Sequence, residues 1–255
     1  MTEAWRRRSG VLALTVVVSA AVVLGAVLGA GAGSPAGAQR PDAVPTLPLA
    51  LTVARQREDR RLRPVVERAW LAEQVRWANA LFRPQGVTFQ VAERHAMGPA
   101  HARMETRRDR HALGHLLHDH VIDVFVVASL RDVDEPDRMR QGVHWRPRGE
   151  GIQEGAHLVI LSAIAGPTVL AHALGHFFGN RHSDVPGNLM SYERGEGPPF
   201  FDRDQGRRIR HRARRFLASG ELVPADRLAA ARAAAASAPD DGEASASPRV
   251  AETGD

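Results

Sequence analysis

The chain has no cysteine and no lysine. Without cysteine there are no disulfides, no thiolate metal ligands and no lipid on an N-terminal cysteine. All 34 basic side chains are therefore arginine. Together with the abundance of alanine and glycine, that usage reflects a GC-rich coding bias, so the formal charge of +5 is poor evidence for a nucleic-acid partner, and none is expected. At 255 residues the chain is long enough for one domain with a full core.

Long apolar runs are also scarce, and the one that stands out lies at the start. Arg6-Arg7-Arg8 precede a stretch from Val11 to Ala30, and Ala36-Gly37-Ala38 follow it just before Gln39. A positive start, an apolar run and a small-residue cleavage site are the parts of a secretory signal. The run is also long enough to span a bilayer. Residues 1–38 are thus expected to be a cleaved signal peptide or an N-terminal membrane anchor. Both place the remainder outside the cytoplasm, whether secreted, periplasmic or attached to the envelope.

Residues 39–48 read as a proline-containing linker, residues 49–222 as the folded domain, and residues 223–255, rich in Ala, Ser, Pro, Asp and Glu, as a low-complexity disordered tail. Within the domain, Leu49–Ala54 reads as a strand. A helix is expected from Leu62 to Phe82, with Leu71, Val75, Ala78 and Phe82 at helical spacing, stopped by Pro84 and Gly86. Val87, Phe89 and Val91 alternate as a half-buried strand. Residues 95–110 read as loop. Val121–Ala128 and His157–Ser162 read as buried strands, and Gln141–Arg146 as a short one. Pro167 suits the first turn of a helix. Asp202 suits the cap of a last helix with Ile209, Phe216 and Leu217 inward. That helix carries seven arginines between Arg203 and Arg215, either a solvated face or a docking surface for something acidic.

The chemistry concentrates in His172-Ala-Leu-Gly-His176-Phe-Phe-Gly179-Asn-Arg-His182, followed by Asn188-Leu-Met190-Ser-Tyr192. Residues four apart share a helix face, so His172 and His176 can hold one cation. Gly179 can end the helix in the left-handed conformation and return His182 to the same ion. Three imidazoles and one open position suit a catalytic Zn2+. The pattern resembles the metzincin clan of zinc metalloproteases, H-E-x-x-H-x-x-G-x-x-H with a Met-turn. The step from His182 to Met190 and the presence of Ser183 look like the matrixin branch, and Tyr192 looks like astacins and serralysins. The resemblance implies an α+β zincin domain with a twisted mixed sheet, a long N-terminal helix, a zinc-binding helix, a Met-turn and a C-terminal helix. It implies zinc ligands His172, His176 and His182, a floor at Met190, an auxiliary role for Tyr192, and peptide or protein as substrate. It also implies an edge strand that takes substrate by strand addition, placed at Gly142, Val143, His144 and Trp145; a plain surface hairpin is the other reading. Latency through a pro-segment cysteine is excluded.

One position departs from the pattern. Ala173 stands where the family's general-base glutamate belongs. Zinc binding is expected to survive this and peptide hydrolysis to be impaired, making the chain a pseudoenzyme. Asp184, Glu154 and His144 are candidate replacements by type. An active secreted endopeptidase and a non-catalytic envelope module remain the alternatives. A second metal site is conceivable at His111, His115 and His118, which would share a helix face, with His120 following.

Overall fold

The computed structural model describes residues 44–237. The signal or anchor at 1–38, half of the linker (39–43) and the end of the tail lie outside the described residues. Among these residues no helix is long and apolar enough to cross a membrane.

A mixed sheet organises the domain. Strand β1 (Thr46–Glu58) is its spine, starting three residues before the expected Leu49. It pairs in parallel with β3 (Thr88–Met97) on one side and with β5 (Ile122–Val127) on the other. Strand β8 (Leu158–Ser162) adds in parallel to β5, and β7 (Gly142–Trp145) closes the edge antiparallel to β8. Strand β2 (Arg61–Pro64) folds back on the end of β1, and β4 (Arg103–Met104) pairs with β6 (Ser129–Leu130) in a small separate sheet.

Both faces of the main sheet are covered, which explains the unbroken apolar runs of β5 and β8. Leu49 and Leu51, Val124 and Val126, and Val159 and Leu161 point to one side. There they meet helix α1 (Arg68–Phe82) and helix α3 (Val169–Phe177), with Phe82, Leu174 and Phe178 at the centre. Phe125, Val127, Leu158 and Ile160 point to the other side, against Met97, Met104 and Leu113.

Several elements differ from the sequence expectation. Residues 62–64 are strand, because Asp59 and Arg60 take positive φ values of 46° and 68° and close a tight hairpin without glycine. Residues 95–110 are largely structured: β3 runs to Met97 along its long partner β1, and helix α2 (Arg107–Ala112) begins at a capping box of Thr106 and Asp109. Pro167 precedes the first turn of α3, whose N-cap is Thr168. Thr168 makes no side-chain cap bond. Instead the buried Gln74 of α1 accepts from the Leu170 N–H at 3.2 Å and donates to the Gly166 carbonyl at 2.9 Å. Helix α4 (Arg203–Ser219) has the expected Asp202 cap, completed by Gln205. Helix α5 (Ala225–Ser237) occupies the start of the expected tail, with Leu228 buried against Ala50 and Val121.

Candidate metal centre

Helix α3 turns Leu170, Ala171, Leu174 and Phe177 into the core, leaving His172 and His176 on its half-buried side. The helix ends at Gly179, whose φ of 85° is left-handed and whose N–H returns to the His176 carbonyl at 2.8 Å. The chain then doubles back and brings in His182. His176 Nε2 lies 3.1 Å from His172 Nε2 and 3.1 Å from His182 Nε2. The three ligand atoms lie within 4.8 Å of one another, and the group includes no carboxylate.

The far sides of two rings are held by backbone. His172 Nδ1 donates to the Leu189 carbonyl and His176 Nδ1 to the Asn180 carbonyl, both at 2.8 Å. With Nδ1 carrying the proton, each neutral ring presents a bare Nε2 lone pair to the other. Such convergence is repulsive unless a cation or a proton occupies the centre. Burial first, and the neighbouring imidazoles second, hold His176 down to about 4; burial likewise lowers His172, and burial and then Arg140 lower His182. Protonation is disfavoured, so the arrangement fits a metal ion. Tetrahedral ligands on bonds of ~2.05 Å sit about 3.3 Å apart, close to the spacing found.

The segment after His182 supports this group. Asn188 Oδ1 accepts from the Met190 N–H at 2.9 Å, and Asn188 and Gln205 exchange side-chain amide bonds of 2.9 and 3.1 Å. This network, whose Gln205 partner lies outside the motif, fixes the turn that presents the Leu189 carbonyl to His172. Met190 is fully buried against Gly175 of α3. Tyr192 is exposed, with its ring 4.5 Å from that of His182. Arg140, ion-paired to the buried Asp132, faces the same side and senses both Tyr192 and His182.

Ala173 is buried, within the apolar cluster that α3 shares with α1 and the sheet. Of the candidate replacements for its missing carboxylate, Asp184 and Glu154 are exposed, and Glu154 lines a groove beside His157 and Glu221. His144 is half-buried, its Nε2 2.9 Å from His157 Nδ1, while His157 Nε2 lies 2.9 Å from Glu221. Burial, and next His157, push His144 down to about 3. Strand β7, carrying Gly142, Val143, His144 and Trp145, is the sheet edge, and Gly142 abuts Val169 at the start of α3.

His111, His115 and His118 do not share a helix face. Helix α2 stops at Ala112 and the chain tightens into a 3-10 turn over Leu113–Leu116. His111 Nδ1 accepts from the Arg148 backbone N–H at 2.9 Å, and its ring packs on Trp145. His115 is exposed. His118 joins instead with Glu93 and His95, a grouping that sequence reasoning missed.

Neither protein-family models nor curated protein sequences give a match to the chain. Among solved structures, it is similar to metalloproteinase-II from Bacteroides fragilis, with a TM-score of 0.44 and 16% identity over 66% of this chain and 53% of that one. The chain thus spans about half the length of that structure.

Proposed function

We propose that the chain is an exported, metzincin-like zinc-binding protein whose peptide hydrolysis is impaired and whose cleft still grips extended peptide. The observation that carries this reading is the convergence of the Nε2 atoms of His172, His176 and His182 with alanine at position 173. A bound Zn2+ would supply Lewis acidity and a water of pKa about 7.

The chain's own residues divide the remaining work. The Leu189 and Asn180 carbonyls keep two imidazoles in the ligating tautomer and orientation. Gly179 makes the return of His182 sterically cheap, and Met190 forms the floor under the group. Tyr192 stands beside His182, where its hydroxyl can donate to an oxygen gaining negative charge. Strand β7, the sheet edge among the described residues, offers backbone groups for pairing with a peptide. The methyl group of Ala173 can neither accept a proton from water nor pass one to a leaving amine, a step worth about 10²–10⁴-fold. His144 is not assigned the role in this reading, because its Nε2 is already engaged with His157 Nδ1 at 2.9 Å. Export rests on the Arg6–Arg8 start and the apolar run that follows it.

The test is a paired peptidase assay on zinc-loaded protein, unchanged and as Ala173→Glu, with casein and a peptide library. The reading predicts little cleavage by the unchanged chain and a rise of about 10²-fold or more in the variant. Metal-dependent cleavage by the unchanged chain that the substitution does not raise would overturn it.

A further inference from the structure

Glu93, His95 and His118 form a second convergent group on the sheet face opposite α3. Leu49 and Leu51 of β1 face that helix, so Ala50 and Thr52 between them face away. The strand register aligns Ala50 with Glu93 and Asp123, and Thr52 with His95, placing all of them on the far side. His118 reaches the same place from the segment just before β5.

The local chemistry is that of a ligand set. Glu93 Oε2 lies 2.6 Å from His95 Nε2. The His95 and His118 rings stack 4.1 Å apart at 14°, so the exposed His95 ring must turn about its Cβ–Cγ bond before both in-plane lone pairs can meet one ion. The three ligand atoms lie within 4.8 Å of one another. His118 Nδ1 donates to Asp123 at 2.7 Å, and the Asp123 side chain is only 4% exposed. That bond fixes the tautomer and leaves Nε2 of His118 with a free lone pair, as carboxylates behind metal-binding histidines do. Thr52 is 4% exposed, and its Oγ1 has no hydrogen-bond partner among the described residues. It lines a pocket together with His95, His101, His115 and His118.

We propose that Glu93, His95 and His118 bind a second divalent cation, with Asp123 positioning His118. Two imidazoles and one carboxylate suit a first-row transition ion of the zinc kind rather than calcium or magnesium. On binding, the His95 proton moves from Nε2 to Nδ1 of the same ring, freeing Nε2 for the ion. The other Glu93 oxygen is ion-paired to Arg232 of α5, so the guanidinium balances the carboxylate before an ion arrives.

The experiment is zinc stoichiometry by equilibrium dialysis and elemental analysis on four proteins: unchanged, His95→Ala, His176→Ala and the double variant. His95 is partly exposed, so its loss spares the fold, and His95→Gln repeats the test at similar side-chain size. Two ions per unchanged chain, one in each single variant and none in the double variant are expected. Stoichiometry unchanged by both His95 substitutions, or a single ion that only His176→Ala removes, overturns the second site. If His176→Ala loses nothing while His95→Ala loses one ion, the second site stands and the three-imidazole reading fails.

Discussion

Met190 packs its thioether against the bare Cα of Gly175, so closely that a Cβ there would overlap the methionine sulfur. Gly175 precedes the ligand candidate His176 in the last turn of α3, where glycine still costs up to about 1 kcal/mol relative to alanine. The close approach explains that cost. Phe201, 3.3 Å from the same Cβ position, blocks the escape of the buried methionine. Gly175→Ala is therefore expected to destabilise the fold by about 1–3 kcal/mol in spite of its better helix propensity. Denaturant unfolding checks this, and a gain in stability would count against the packing.

The Asn188–Gln205 pair predicts a positioning effect. Asn188→Leu strands the Gln205 Nε2 and the Met190 N–H in the interior, at about 1–3 kcal/mol for each orphaned group, while Gln205 Oε1 keeps the Asp202 N–H. It also loosens the turn that aims the Leu189 carbonyl at His172, so zinc affinity should fall about 10–100-fold. Calorimetric zinc titration on folded variant separates the two effects. Lower stability with unchanged zinc affinity would reduce the pair to packing alone.

Acid should destabilise the metal-free chain through its buried imidazoles. Burial and the His157 neighbour hold His144 at about 3 in the fold against an ordinary 6.5, and burial lowers His157 in spite of Glu221. Between those pH values the unfolded chain binds more protons than the folded one, so stability rises with pH across that window. It is complete above pH 6.5 and lost as the pH falls toward 3. Asp123 works in the opposite direction: burial raises it from 3.8 to about 6, so acidification between those values relieves a buried charge. The imidazoles outnumber it, and the net result is a loss. Unfolding in chelator at pH 7, 5.5 and 4.5 should show this decline, and His144→Gln should make it shallower. An identical decline in the variant would exclude His144 as a contributor.

The legible part of this protein was local. Unbroken apolar runs marked β5 and β8 because both sheet faces are covered. The His172–His182 motif was legible because helical period and a terminating glycine are short-range geometry. Asp202 likewise announced its helix through spacing alone. What escaped depends on partners far along the chain. Strand β3 extends to Met97 because it follows a long parallel neighbour more than forty residues earlier in sequence. Glu93 and His95 are brought together by the period of two on that strand, and their third member enters from His118. The expected His111 face failed because the helix tightens after Ala112. The Asp59–Arg60 hairpin lacks the glycine that would have signalled it.

The most direct test of the three-imidazole centre is an anomalous-difference map at the zinc edge, from crystals of zinc-loaded protein. The account predicts a peak about 2.0–2.1 Å from Nε2 of His172, His176 and His182 together. A fully loaded crystal with no peak at that point, or with the three rings turned apart, would contradict it.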